Sequence, residues 1–273
     1  MRTFDGLRVA LLESRRGSEM AELVRRLGGV PCAVPAVREI PRLDEVPAFL
    51  DALDDGRVSM VVCLTGVGIA RLLQEAQRLG RLDDTLAALR QTITVCRGPK
   101  PSAVLRQYGI DAGIRAAAPF TTNEVREALS GVDLDGRSVA VLHYGERNEP
   151  LAAALRARGA RLAELCLYEW ALPENVDALK TLADDLVHGR VQAIAFTSQV
   201  HCRHLFDVAG TMGLARELAT ALRNDIIVAA IGPVCVAALS GYGVTPQVVP
   251  AQSKMGLLIA ALAEHVERNR ATR

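Results

Sequence analysis

Short β-rich apolar runs alternate along this chain with longer stretches whose apolar residues fall three and four apart. The first pattern marks buried strands and the second amphipathic helices. Strands are expected near 8–12, 32–37, 59–64, 92–96 and 113–117, and again near 138–143, 161–167, 192–196, 226–231 and 247–249. Helices are expected over 17–27, 66–79, 99–107, 148–158, 198–209 and 253–268, with a short apolar one after Gly232-Pro233. Strand-helix alternation with nearly all-apolar strands implies parallel sheets covered on both faces, an α/β fold.

The pattern is written twice. Gly6 to Pro41 lies on Gly136 to Trp170 at an offset of 130, with Val9, Ala10, Leu12, Glu19, Arg26, Gly29, Ala33 and Glu39 recurring as identical residues. "SMVVCLTGVGIARLL" matches "QAIAFTSQVHCRHLF" at 132, pairing Thr65 with Thr197, and "CRGPKPSAVLRQYG" matches "IGPVCVAALSGYG" at 134. Order and spacing persist, so an internal duplication is expected. "PAVREIPRL" and "CLYEWALP" occupy equivalent places, are extended and end at proline, and so read as linkers. A chain that leaves one lobe through the first and returns through the second gives lobe 1 from 1–36 with 173–273, linker strands at 37–42 and 167–172, and lobe 2 from 43–166. Each lobe then mixes strands of both copies, with a cleft between them.

Composition narrows the partners. A chain of 273 residues allows roughly two domains. Aromatics at 4% leave few stacking platforms for single-stranded nucleic acid, and a net charge of +1 with dispersed Lys and Arg gives no polybasic arm for nucleic acid or membrane. The apolar run before Glu13 is too short for a signal h-region, and no stretch approaches the roughly 18 apolar residues of a membrane span, so a cytoplasmic protein is expected. The six cysteines lie singly, as buried thiols would.

In open parallel sheets ligands lie where strand carboxyl ends meet helix amino termini, whose unpaired N–H groups favour anions. Six turns fall there: Glu13 to Gly17, "LTGVG" with Thr65 and Gly66, "RGPKP" with Gly98 and Lys100, His143 to Asn148 with Tyr144, "FTSQ" with Thr197 and Ser198, and Gly232-Pro233-Val234. Each alone is an ordinary strand-to-helix connection. Together, with hydroxyls, Lys100 and Arg15, they suit a carboxylate or phosphate pocket. No G-x-S-x-G, Walker or H-E-x-x-H motif is present. "HCRH" (His201 to His204) puts two imidazoles on one helix face without a second ligand cluster, which makes a poor metal site. Tyr168 sits in a proposed linker, where its phenol could face the cleft or pack.

These phrases, "LLESR", "FTSQVHCRHLF", "AAIGPVCVAALSGYGVTPQVVP", "LCLYEW" and "RGPKPSAVLRQYG", resemble the uroporphyrinogen-III synthase family from about Leu7 to Val266. The resemblance implies two flavodoxin-like parallel-sheet lobes joined by a two-stranded linker. It implies hydroxymethylbilane, a linear tetrapyrrole polycarboxylate, as substrate, cyclised to uroporphyrinogen III with inversion of the terminal pyrrole and loss of water. No cofactor and no metal are implied, because the pyrroles supply the electrons. Tyr168 matches the linker tyrosine that would donate to the leaving hydroxyl. Arg15, Thr65, Gly66, Gly98, Lys100, Tyr144, Thr197, Ser198, Gly232, Pro233 and Val234 would hold the substrate. A monomer with hydroxymethylbilane synthase as upstream partner is expected. Where the family commonly has Phe-Thr-Ser this chain has Leu64-Thr65-Gly66, and Cys235 replaces a usual Thr. Those departures keep a non-catalytic tetrapyrrole-binding or regulatory domain in view as the alternative. A two-lobed solute receptor would want a secretion signal.

Overall fold

The structure is a computed structural model and describes residues 3–143 and 145–271. The chain opens with β1 (Arg8–Leu11), α1 (Gly17–Arg26), β2 (Val30–Ala33) and β3 (Arg38–Pro41). It continues through α2 (Val46–Asp54), β4 (Met60–Cys63), α3 (Gly66–Arg78), α4 (Leu82–Gln91), β5 (Ile93–Cys96), α5 (Pro99–Gln107), β6 (Ile114–Arg115) and α6 (Thr122–Ala128). Next come β7 (Ser138–Leu142), α7 (Glu149–Arg156), β8 (Arg161–Leu165), β9 (Tyr168–Ala171), α8 (Asp177–Val187) and β10 (Ala193–Phe196). The last elements are α9 (Gln199–Thr211), α10 (Ala215–Asn224), β11 (Ile227–Ala230), α11 (Pro233–Ser240) and α12 (Met255–Ala271).

Two compact units result: Met1–Arg38 with Ala171–Arg273, and Glu39–Trp170. In the first unit four strands run β11-β10-β1-β2, all parallel. Alternate residues feed opposite faces, as a period of two demands. Ala10, Leu12, Ile194, Phe196, Val228 and Ala230 join one core layer, while Val9, Leu11, Ala193, Ala195 and Ala229 join the other. The second unit has five parallel strands in the order β6-β5-β4-β7-β8. Its two layers are likewise split, with Val61, Cys63 and Leu142 on one face and Met60, Val62 and Val141 on the other. β3 and β9 form a separate two-stranded sheet.

The four-stranded and five-stranded sheets each contain one reversal of connectivity. Connectivity reverses direction between β1 and β10 in the first unit and between β4 and β7 in the second. Those are the topological switch points, where such sheets leave a crevice beyond the strand ends.

Several elements depart from the periodicity. The run at 32–37 is β2 at 30–33 followed by extended chain whose Val34 and Ala36 N–H groups reach Leu11 and Leu12 carbonyls. β2 is an edge strand, which is how it tolerates Pro31. The strand expected at 247–249 is a single bridge between Ala229 and Val248. Helices α2, α4, α6, α8 and α10 carry no expectation from the periodicity. In α10 the buried Leu218, Ala221 and Leu222 fall three and four apart, a helical stripe that the sequence does carry.

Candidate active-site rims

In the second unit the carboxyl ends of β4 and β5 feed α3 and α5. Thr65 caps α3 by accepting a hydrogen bond from the Gly68 N–H at 3.0 Å, which leaves its own O–H to donate. Gly66 is favoured by proximity. A Cβ there would stand 3.1 Å from the carbonyl carbon and oxygen of Lys100, so the glycine lets the starts of α3 and α5 lie against each other. The hydroxyl absent at Gly66 is therefore exchanged for close approach of backbone. Gly98 precedes Pro99, whose missing N–H costs nothing at a first helical turn, and the exposed ring of Phe120 lies 3.4 Å from where a Gly98 Cβ would be. Lys100 is exposed.

The turn after β7 is anchored from below. His143 is fully buried; its Nδ1 accepts the Asn148 N–H at 3.0 Å and its Nε2 faces Glu164 Oε2 at 2.9 Å. Burial pushes the imidazole pKa down against the opposing pull of Glu164. Glu164 also meets Arg156 and Arg147. Gly145, at φ 69°, is obligatory, since a Cβ would fall 2.3 Å from Trp170 ring atoms. Its carbonyl accepts the Trp170 N–H at 3.0 Å, stitching β9 to this turn. Tyr168, on β9, is 2% exposed, with the Arg71 guanidinium 5.1 Å from its ring centroid and Trp170 edge-on. Arg71 is held in turn by Glu39 at 2.7 Å. Tyr144 lies outside the described residues.

In the first unit the equivalent strand end is built differently. Thr197 does not cap its helix. Its Oγ1 lies 2.7 Å from Glu13 Oε2 and 3.3 Å from His201 Nδ1. Ser198 is the α9 cap residue without a side-chain cap bond. His201 is 4% exposed, and burial pushes its pKa down to about 4, with Glu13 pulling it up and His204 pushing it further down. His204 Nδ1 contacts the Ala36 carbonyl at 2.7 Å, so the two imidazoles of "HCRH" serve different partners. Arg15 is exposed and its N–H bonds Glu13 Oε1 at 3.3 Å.

At the other corner of this unit, Gly232 starts α11 with Pro233 next and Val234 47% exposed. A Cβ on Gly232 would stand 2.6 Å from Ser253 Oγ. That serine brings a hydroxyl to the turn. Cys235 supplies none, being buried with its thiol pushed up to about 12 by desolvation. Thr65, Gly66, Gly98 and Lys100 thus belong to the strand-end rim of the second unit, and Arg15, Thr197, Ser198 and Gly232 to that of the first. Glu13, His201, Ser253 and Phe120 are not among the residues expected to act. Glu13 stands in the quoted "LLESR", but only the pairing of β1 with β10 shows what it faces.

No helix among the described residues is long and apolar enough to cross a membrane. Two parallel-sheet units whose strand ends present helix starts, Gly-Pro corners and hydroxyls define the class: an α/β protein with two sheet units. Residues 18–260 match the family described as "HEM4: Uroporphyrinogen-III synthase HemD", and the chain belongs to that family. It is 30% identical over 263 residues to "Uncharacterized protein YjjA" of Bacillus subtilis (strain 168), covering 96% of this chain and 97% of that one. Its structure matches a mutant uroporphyrinogen III synthase from Thermus thermophilus with a TM-score of 0.79 at 26% identity, over 98% of this chain and all of the other. A uroporphyrinogen-III synthetase from Helicobacter pylori 26695 shares the fold, with a TM-score of 0.55 at 13% identity over 98% of this chain and 100% of that one. The family implies a tetrapyrrole substrate.

Proposed function

We propose that the protein is a uroporphyrinogen-III synthase, a lyase that cyclises hydroxymethylbilane with inversion of the terminal pyrrole and loss of water. The observation that carries this reading is the contact of Gly66 with the Lys100 backbone. It sets two helix starts side by side, so that amides of both can engage one carboxylate. Acetate and propionate arms are what such amides suit. Thr65, Gly98 and Lys100 in the second unit and Arg15, Ser198, Gly232, Pro233 and Val234 in the first are the proposed carboxylate contacts. Tyr144 belongs to the same proposal through the family likeness alone.

The substrate's pyrroles supply the electrons for bond formation, so the protein's tasks are to hold a flexible chain in a reactive geometry and to ease departure of the hydroxyl. Tyr168 is the proposed donor to that hydroxyl, and a phenol, which in water titrates near about 10, suits donation. Arg71 over the ring and Trp170 beside it fix the ring's direction.

The test uses purified protein and hydroxymethylbilane made fresh by its synthase, with the product isomers separated. The type III isomer is expected. Product that is only the type I macrocycle, which forms without an enzyme, rejects the synthase reading; with tight tetrapyrrole binding it establishes the alternative, a binding or regulatory domain. Tyr168→Phe should lower kcat about tenfold, somewhat less than the usual loss of a positioned acid, while near-UV circular dichroism stays unchanged. Unaltered kcat removes Tyr168 from the chemistry.

A further inference from the structure

Thr197 stands where a donor to a substrate carboxylate is expected, yet the fold has already given that donor a carboxylate. Thr197 has one hydroxyl proton. A carboxylate only accepts, so at 2.7 Å the proton points to Glu13 Oε2. His201 Nδ1, 3.3 Å from the same oxygen, must then be the donor to it. The direction of the hydrogen-bond chain is fixed from the protein interior outward: His201 N–H to Thr197 oxygen, Thr197 O–H to Glu13.

The place matters as much as the bonding. Leu11 and Ala195 are register partners on β1 and β10, and Glu13 and Thr197 each follow two residues later, beyond the strand ends at the switch point of the first unit. A carboxylate held there by a hydroxyl, itself held by a buried imidazole, is a positioned charge. It is also the wrong sign to receive a polycarboxylate and the right sign to face a cation.

We infer that Glu13 is a catalytic carboxylate of the proposed cyclisation, positioned by Thr197 and His201. The inference rests on the synthase reading. When the C–O bond of the hydroxymethyl group breaks, the oxygen takes one proton and leaves as water, and the pyrrole it leaves becomes an azafulvenium cation. The substituted α-carbon of the other terminal ring, which carries no hydrogen, then attacks to form a C–C bond and a spiro intermediate; its old bond to the neighbouring bridge carbon breaks and leaves a second azafulvenium cation there. The unsubstituted α-carbon of the same ring bonds to that bridge carbon and must release its hydrogen as a proton to become aromatic. Glu13 faces the cation first, where a preorganised charge stabilises what develops, and then accepts that proton. One proton enters with the leaving group and one departs to the carboxylate, so the net change is one water lost, with no oxidant or reductant.

Steady-state kinetics on hydroxymethylbilane test this with Glu13→Gln, Glu13→Asp, Thr197→Val and Thr197→Ser. Glu13→Gln should lower kcat about tenfold or more with KM unchanged or lower, and Glu13→Asp should recover part of it. Thr197→Val should follow Glu13→Gln, and Thr197→Ser, which keeps the hydroxyl, should stay near wild type. That rescue separates positioning from packing. If Glu13→Gln keeps kcat and lowers KM, Glu13 only occupies a substrate carboxylate's place and the inference fails; unchanged kcat and KM sink it as well. Should Glu13→Gln fail to fold, the Thr197 pair decides the matter alone. Wild-type protein that yields only type I product defeats the synthase reading, whereas wild-type type III product with an unimpaired Glu13→Gln defeats this inference alone.

Discussion

Two strand ends at the switch points of their sheets, Thr65 after β4 and Thr197 after β10, use a threonine hydroxyl for different ends. Thr65 accepts from Gly68 N–H and closes its own helix. Thr197 gives its proton to Glu13 and takes one from His201. The helix starts account for this. Thr65 is the cap position of α3, which begins at Gly66, whereas α9 begins at Gln199 and its cap position is Ser198, so Thr197 stands one residue too early to close its helix. The second unit's rim is fixed by backbone held close to its neighbours, Gly66 on Lys100 and Gly145 on Trp170. The first unit's rim is fixed by a polar chain. Close packing responds to added volume, and a polar chain responds to protons.

The largest effect should come from testing the packed rim. Gly145→Ala must place a methyl 2.3 Å from an aromatic ring at φ 69°, and should cost about 3 kcal/mol or more, read as a fall in the urea midpoint. An unchanged midpoint would mean that β9 is not locked to the β7 turn.

The polar rim should answer to acid. His201 has an ordinary pKa near 6.5 when unfolded and about 4 when folded, so the unfolded chain binds the extra proton first. Stability is therefore full above pH 6.5 and falls as pH drops toward 4, by about 3 kcal/mol from this one group. His143, also depressed by burial, adds a slope of the same sign from the second unit. Denaturation midpoints across roughly pH 4 to 8 should show the acid limb flattened in His201→Gln. A limb that keeps its full steepness would place the titration elsewhere.

The smallest effect separates the two threonines directly. Thr65→Ala removes a cap and should cost about 1 kcal/mol. Thr197→Val removes no cap but strands the buried His201 N–H, so its loss of stability should be similar, about 1 kcal/mol, while its loss of turnover is the larger. Equal losses of turnover would erase the distinction between the strand ends.

Much of the scaffold was legible from periodicity, because a parallel strand covered on both faces is apolar throughout and its flanking helices are not. The Gly-Pro corners were legible as well, since proline directly after glycine at the end of an apolar strand stops the strand and suits the first turn of a helix. What glycine was for could not be read: Gly66 is set by the Lys100 backbone and Gly232 by the hydroxyl of Ser253, neighbours distant in sequence. Glu13 was hidden for the same reason. It is 184 residues from Thr197, and nothing local marks a glutamate after a strand as a partner for a threonine in another copy of the pattern. α10 shows a different kind of miss, since Leu218, Ala221 and Leu222 stand three and four apart as a buried helix face requires and the signal was local.

The division of the chain has a consequence for its birth. β1 is made well before its hydrogen-bonded neighbour β10, and Arg8 waits for Gln192 across 184 residues. Glu39–Trp170 is one continuous stretch and can complete its sheet while translation proceeds. β1, apolar on both faces, must stay without that neighbour for the whole interval, so the discontinuous unit carries an exposed strand during synthesis that the continuous one does not.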